Sequence, residues 1–370
     1  MARAMSGFPL LKGEKRMRST FRLLFLLLAL ISSALAQPLA PRHADWIARD
    51  FSFHDGARMD LTLHYRTLGE PGGMPVLLLH GTGGSGDSFI TPEFADVMFG
   101  PGQPLDIQRY FIIMPDAIGH GRSSKPSDGL RARFPRYTYQ DMVTAQFRLV
   151  TEGLGLPHLR LVMGNSMGGM HAWLWAERYP DAMDAVIPLA AQPTEMASRN
   201  WILRRLITDS IRRDPAWQNG DYRQQPPSAH FASVFYAIAT SGGTLAWQRQ
   251  APTWDSAQRL LEQRLSAPFS VDANDLLYQW DASRGYRADA HLEQVHAAVL
   301  AINAADDERN PPETGVMQRA IARLPHGTLY LIPAGPETRG HATTGLARLY
   351  APQVARFLLS APSRRHHAAA

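Results

Sequence analysis

The stretch Gly164-Asn165-Ser166-Met167-Gly168-Gly169 constrains this chain more than any other feature. It follows the apolar run Leu159 to Met163 and precedes Met167 to Tyr179, whose spacing predicts a helix. A Gly-x-Ser-x-Gly pentapeptide between strand and helix implies a very tight turn. Side chains two residues either side of the serine would collide there, so glycine is needed at both places. Chance would supply the pattern only ~0.1 times in a chain of this length. A serine on such a turn projects from the edge of a sheet, where a nucleophile has to stand.

The surrounding sequence supplies the sheet. Asp60 to Leu68 alternates apolar and polar residues, as a half-buried strand does. Pro75 to Leu79, Tyr110 to Met114, Ala185 to Ala190, Ala298 to Ile302 and Thr328 to Ile332 are short apolar runs. Asp141 to Leu154 has helical spacing through Met142, Val143, Phe147, Val150 and Leu154. Alternating short strands and helices predict an α/β fold with a mostly parallel sheet covered by helices on both faces. The rhythm breaks between about Gln192 and Ala290, which is rich in Arg, Gln, Trp and Pro. That stretch reads as a helical lid over the carboxyl ends of the strands, or as a helical surface for a homodimer. Within it Trp201, Trp217, Phe231 and Tyr236 are candidates to line a pocket, core packing explaining them equally well. The divisions are 1–36, an N-terminal extension; 37–191 and 291–362, two parts of one core; 192–290, the lid; and 363–370, a tail holding His366 and His367.

The N-terminus has the layout of a secretory signal. Met17 to Arg22 is basic, Leu23 to Ile31 is uncharged and apolar, and Ala34 and Ala36 form a small-residue cleavage pattern. This predicts a periplasmic or secreted protein without a stable membrane span once the leader is removed, an uncleaved anchor being the other reading. The leader also explains the charge. Residues 1–36 hold six basic residues and one acid, which leaves 32 basic and 32 acidic residues in the rest of the chain. A neutral mature chain gives no footprint for nucleic acid. The chain has no cysteine, which excludes disulfides, thiolate metal sites and a cysteine nucleophile.

A serine nucleophile needs a base, and the base needs an orienting acid. In this kind of fold they follow the serine in the order acid, then histidine. Asp306-Asp307 follows the run Ala298 to Ile302, and His341 follows Thr328 to Ile332 and the loop Gly335 to Gly340. Either aspartate is placed to serve. His80-Gly81-Thr82-Gly83-Gly84 follows Pro75 to Leu79, so the backbone N–H groups of Thr82 and Met167 are candidates for an oxyanion hole. His80 reads as a structural hydrogen-bonding residue. Gly81-x-Gly83-x-x-Gly86 with Asp116 also matches a dinucleotide fingerprint. The earlier strand at Asp60 to Leu68 argues against it, because the fingerprint belongs to the first strand of its fold. No close metal-ligand spacing and no phosphate-binding P-loop appears, so neither a metal nor a cofactor is expected.

With these residues located, the chain resembles the homoserine O-acetyltransferase group of the α/β-hydrolase superfamily. The resemblance runs through Gly100-Pro101-Gly102, Asp106 to Phe111, Phe134-Pro135, Tyr137 to Gln146, Gly164 to Ala176, and Asp214 to Tyr222. It implies an α/β-hydrolase fold and acyl transfer through an acyl-serine on Ser166. Family acids commonly lie four residues before a proline, so Pro311 favours Asp307. The chain also departs from the group. Where that group carries an acid after the catalytic histidine, for the substrate amine, Ala342 stands here; where it carries a lid arginine for the carboxylate, Thr208 stands here. Asp116 to Ser124 is similar to ordinary hydrolases, and Asn165 is similar to the same position in carbon–carbon bond hydrolases. The expected function is an exported serine hydrolase (esterase-like) that cleaves an ester-like bond of a small molecule, with water as acceptor. A homoserine O-acetyltransferase-like acyltransferase is the alternative. A carbon–carbon bond hydrolase and an inactive binding protein are the remaining readings.

Overall fold

Short, wholly apolar strands can be buried only inside a sheet, and the chain builds one sheet of eight. A computed structural model describes residues 40–363. The leader read at Met17 to Ala36 and the histidines of the tail lie outside the described residues. From Pro41 onward the described residues belong to one unit.

The strands are β1 (Arg42–Ser52), β2 (Arg58–Leu68), β3 (Met74–Leu79), β4 (Tyr110–Pro115), β5 (Leu159–Asn165), β6 (Met183–Leu189), β7 (Ala298–Ala304) and β8 (Gly327–Ile332). Their order is β1-β2-β4-β3-β5-β6-β7-β8. The pairs β1–β2 and β2–β4 are antiparallel, and every later pair is parallel. The expected mostly parallel α/β sheet is therefore present. β4, β6 and β7 are buried at every residue, as their unbroken apolar runs require. β8 lies at an edge and is mostly half-buried despite its apolar sequence.

β1 has no counterpart in the sequence reading. It carries Arg42, His43, Asp45, Arg49 and Asp50, and most of its residues are exposed. Its inner face holds it in place, with Ala48 and Phe51 in the core and Trp46 packed against it, and exposed ion pairs to β2 add to this. Arg49 pairs with Asp60 at 2.5 Å, and Arg58 pairs with Asp50. A charged edge strand of this kind also resists pairing with other chains.

The helices are α1 (Pro92–Met98), α2 (Tyr139–Arg148), α3 (Met167–Arg178), α4 (Ser198–Arg212), α5 (Pro227–Thr240), α6 (Thr244–Gln250), α7 (Trp254–Ser266), α8 (Ala273–Asp281), α9 (Val316–Ile321) and α10 (Ala351–Ser360). Thr138 starts α2 with a capping box: its hydroxyl accepts from Asp141 N, and the Asp141 carboxylate accepts from Thr138 N. The helix expected over Asp141 to Leu154 is shorter than its periodicity suggested. It ends at Arg148 and continues as a wide π turn over Leu149–Gly153. Gly153 lies flat against the Trp46 ring there; a side chain would stand 2.9 Å from the indole.

α4 to α8 all fall between β6 and β7, and this segment contains no strand among the described residues. Arg160 on β5 fastens the end of α10. Its guanidinium donates to the carbonyls of Leu358 at 2.6 Å and Pro362 at 2.5 Å, and it faces Asp184 at 3.4 Å.

Candidate active site

β3 hydrogen-bonds to β4 on one side and β5 on the other, so the chain order reverses around it. Loops that leave the carboxyl ends of such strands flank a crevice. Here they are the loop from His80 and the turn at Ser166. A β-carbon on Gly81 would lie 3.5 Å from Ser166 Cβ, so the two loops touch.

The turn at Ser166 is as tight as the glycine spacing requires. A β-carbon on Gly164 would stand 2.1 Å from the Gly168 carbonyl oxygen, and one on Gly168 would stand 1.9 Å from the Leu79 carbonyl oxygen. Ser166 itself has φ 55° and ψ −113°. For a residue with a side chain this costs on the order of 1–3 kcal/mol, which the surrounding structure has to supply. The turn is held by Ser166 N donating to Leu189 O at 2.9 Å, and by Thr344 Oγ1 donating to Asn165 Oδ1 at 2.6 Å.

His341 Nε2 lies 2.8 Å from Ser166 Oγ. On the other side of the ring, Nδ1 lies 2.9 Å from Asp307 Oδ2 and 3.0 Å from Oδ1. The structure thus brings together Ser166, Asp307 and His341 from three loops. All three are buried. Burial pushes the His341 pKa below that of free imidazole, and the Arg309 and Arg204 cations add to this against the pull of Asp307. Burial also raises Asp307, but His341, the Asn310 amide and the Arg309 N–H outweigh it and hold the carboxyl below its usual value. The result is a neutral imidazole facing a hydroxyl and an ionised carboxylate behind it, the arrangement in which a histidine can take a serine proton.

Asp306 does something different. Its Oδ2 accepts from Thr338 Oγ1 at 2.7 Å and from Gly340 N at 3.1 Å. It therefore holds the loop that carries His341 and does not touch the ring. Asn310 was not foreseen. It donates to Asp307 Oδ2 at 2.9 Å and to Ala190 O at 3.0 Å, tying the acid to the end of β6. The buried cation Arg204 and the half-buried Arg309 were also missed. Arg309 donates to Thr240 Oγ1 and Ser241 Oγ and lies 4.5 Å from the centre of the Tyr236 ring.

Met167 opens α3, so its N–H has no partner within the helix and points outward with the positive end of the helix dipole. Thr82 lines a cavity of about 240 Å³ with Gly81, Asn165, Leu189 and Thr344. Its hydroxyl is buried and has no partner. His80 orders this loop. Its Nδ1–H donates to Gly81 O at 2.8 Å, and its Nε2 accepts from Ala117 N at 3.0 Å. Those two bonds require the neutral ring, and burial lowers its pKa accordingly.

Asp116 is fully buried and accepts from Arg66 at 2.6 Å, Gly86 N at 2.8 Å and Arg122 N at 2.9 Å. Fully buried and engaged by three donors, it does not face a ribose, and the glycine loop runs into a 3-10 turn over Gly86–Phe89. These contacts remove the dinucleotide reading.

The expected pocket aromatics do not line the cavities beside Ser166. Phe231 is 63% exposed. Tyr236 packs under Arg309, and Trp217 donates to Asn274 at 2.8 Å. Trp201 is half-buried on α4. Among the described residues no cluster of His, Asp or Glu is fit to hold a metal ion.

Comparison with known proteins agrees with this geometry. Residues 74–336 match the model of the alpha/beta hydrolase fold family. A homoserine O-acetyltransferase of Solidesulfovibrio magneticus is 33% identical over 271 residues, covering 68% of this chain and 66% of that protein. One of Thermobifida fusca is 36% identical over 177 residues, covering 43% and 45%. The chain thus spans between about half and two thirds of the length of these curated relatives. The fold is also that of a homoserine O-acetyltransferase from Bacillus anthracis, with TM-score 0.76 at 21% identity over 88% of this chain and 99% of that one. An acetylester hydrolase from Corynebacterium glutamicum superposes with TM-score 0.74 at 20% identity over 86% and 96%. Strand order, serine turn and family match converge on one conclusion: this chain belongs to the alpha/beta hydrolase fold family.

Proposed function

We propose that the protein moves a small acyl group through an acyl-serine on Ser166, and passes it to an alcohol. The observation that carries the first half is the hydrogen-bonded line from Asp307 through His341 to Ser166. His341 takes the hydroxyl proton as Ser166 Oγ attacks the carbonyl carbon. The amides of Thr82 and Met167 hold the oxyanion, with each such donor worth ~3 kcal/mol in the transition state. His341 then gives its proton to the departing group. The cavity of about 240 Å³ beside Thr82 leaves ample room for a small acyl group. The alcohol acceptor is supported by the sequence relatives, which are homoserine O-acetyltransferases. On this reading α4 to α8 form a lid that shapes the acceptor side.

Hydrolysis is the second reading, and a specific observation favours it. Ala342 follows His341 and is exposed, so no carboxylate stands there to hold an amine. Thr208, in place of an arginine, is buried and donates to the Arg205 carbonyl. Export through the leader would also separate the enzyme from cytoplasmic acyl thioesters. The test uses the full chain with p-nitrophenyl acetate, and with acetyl-CoA plus homoserine, against Ser166→Ala. Thioester consumption that requires homoserine supports transfer. Ester cleavage with no acceptor effect supports hydrolysis. Equal rates in wild type and Ser166→Ala would overturn both. Mass spectrometry of the protein in its native host separates the compartments, a mature chain starting at Gln37 being the mark of export.

A further inference from the structure

The cavity beside Thr82 has two unlike sides. Thr82 and Asn165 mark the side next to the serine, since Asn165 precedes Ser166 and a β-carbon on Gly81 would lie 3.5 Å from Ser166 Cβ. Phe89, Phe94, Leu189 and Tyr350 supply apolar wall, each of them at most 4% exposed. These walls are set in advance. Phe94 packs edge-on against both Phe89 and Phe99, with ring centres 5.1 and 5.5 Å apart.

No arginine, lysine, aspartate or glutamate lines this cavity. Most polar atoms in its walls are already engaged. Tyr350 Oη donates to Thr344 O at 2.9 Å, Thr344 Oγ1 donates to Asn165 Oδ1, and both ring nitrogens of His80 are bonded. Two atoms next to Ser166 are left over. The Thr82 hydroxyl is buried without a partner, and the Asn165 amide is bonded only through its oxygen. Polar groups at the serine and apolar wall beyond it describe an ester carbonyl followed by a hydrocarbon tail. A charged tail would be desolvated there with nothing to pair it.

Size and direction narrow the class. At ~30 Å³ for each water-sized unit, about 240 Å³ holds roughly eight non-hydrogen atoms. An acetyl group has three and a hexanoyl group seven. His341 has to reach the leaving oxygen, yet it does not line this cavity. The leaving half therefore lies on the histidine's side, and the acyl carbon runs along the loop that carries Thr82.

We propose that this cavity is the acyl pocket and that it takes an uncharged acyl chain of about five to seven carbons. The inference rests on the acyl-serine reading and names the acyl class for it.

The test measures kcat/KM for p-nitrophenyl acetate, butanoate, hexanoate and decanoate, and for the p-nitrophenyl monoester of adipate, in wild type and in Gly345→Leu. Gly345 lines the cavity and is exposed, and a β-carbon on it meets nothing within 4 Å, so the leucine takes up space without a clash. Each methylene added between acetate and hexanoate should raise kcat/KM about fourfold, and decanoate should fall back. Adipate, a hexanoyl chain ending in a carboxylate, should run at least about tenfold below hexanoate. The hexanoate-to-acetate ratio should fall at least about tenfold in Gly345→Leu. Acetate as the best substrate would overturn the length, and equal rates for adipate and hexanoate would overturn the neutrality. A ratio unchanged in Gly345→Leu would put the tail elsewhere and overturn the assignment. A steeper gain along alkyl acetates, where the alcohol grows instead, would do the same. No turnover of any ester would sink the acyl-serine reading. Saturation-transfer NMR with 2-heptanone would then still decide the cavity: binding that Gly345→Leu abolishes supports it, and no binding in wild type overturns it.

Discussion

Replacing Asp307 or Asp306 by asparagine separates two carboxylates that are adjacent in the chain and opposite in use. Asp307 Oδ1 accepts from Arg309 N at 2.8 Å, and Oδ2 accepts from Asn310 Nδ2 at 2.9 Å, so both oxygens meet fixed donors besides His341. An amide at this position keeps only one acceptor. If its oxygen stays with Arg309, its NH₂ faces Asn310 and His341 Nδ1. The imidazole then has to accept at Nδ1, which puts its proton on Nε2, and Nε2 can no longer take the proton of Ser166. Forcing that tautomer in a serine triad lowers kcat by ~10⁴, or roughly 5 kcal/mol. Asp306 leaves Oδ1 unused, and an asparagine oxygen in place of Oδ2 keeps the bonds from Thr338 and Gly340. We expect Asp307→Asn to lose about 10³- to 10⁴-fold in kcat for p-nitrophenyl acetate and Asp306→Asn less than about tenfold. Circular dichroism melts should show both variants folded. An Asp306→Asn loss equal to that of Asp307→Asn, or an Asp307→Asn variant within tenfold of wild type, would refute this assignment.

Three further outcomes follow from the same contacts. His341 must be neutral to act as a base and its pKa is lowered, so kcat/KM should fall with acid only below the usual imidazole pKa of about 6.5. Arg309→Met removes one of the lowering charges and should move that limb to higher pH; a limb that stays in place would disprove the coupling. Asp275 accepts from Ser127 N and Oγ at 2.8 and 2.6 Å, and burial pushes its pKa up to about 6 from 3.8. A pKa raised on folding gives stability that is complete below 3.8 and lost as pH rises through about 6, a loss of about 3 kcal/mol at most. Asp275→Asn keeps the bond from Ser127 N at its oxygen and can donate from its amide to Ser127 Oγ, so its Tm should vary less between pH 4 and 7 and exceed wild type at pH 8, as thermal melts across pH would reveal. Lastly, Ile202 and Leu206 on α4 and Phe231 and Phe235 on α5 are at least half exposed, an apolar stripe that suits a second copy of this chain. Light scattering should find a dimer that Phe231→Glu/Phe235→Glu converts to monomer, and a monomeric wild type would end that idea.

Much of the site was legible because its chemistry is written in local order. The glycines around Ser166 announce a turn that only they can make, and the acid and histidine stand after later strands in the expected sequence. What stayed hidden depended on distant partners. Only the spacing to Pro311, read through the family resemblance, told Asp307 from Asp306; that one faces Thr338 and the other His341 is fixed only once the loops are assembled. Asn310 reads as an ordinary loop residue until Ala190 is brought beside it. β1 has an inward face of Ala44, Trp46, Ala48 and Phe51, but a register shift between Ala48 and Phe51 and the charges around them break the alternation that would announce a strand. Phe231 was misplaced for the opposite reason: an aromatic in a helical segment reads as lining whichever way it faces. The π turn after Arg148 has the periodicity of the helix before it, so only the packing of Trp46 on Gly153 marks the change.

The position of the helical segment has a consequence for how such an enzyme can diversify. β6 and β7 are adjacent parallel strands whether the chain between them is long or short, because their register is set by Ala185 against Ala298 and Leu189 against Ile302. Closing a longer loop costs little more than closing a shorter one, about 0.6 kcal/mol per doubling. The residues proposed to break bonds sit on the sheet side of this junction, and much of what would recognise a substrate sits on the inserted side. Selection can therefore exchange one half and leave the other standing. A chain that keeps its serine turn intact while Thr208 and Ala342 depart from a related group is what such independent drift would leave behind.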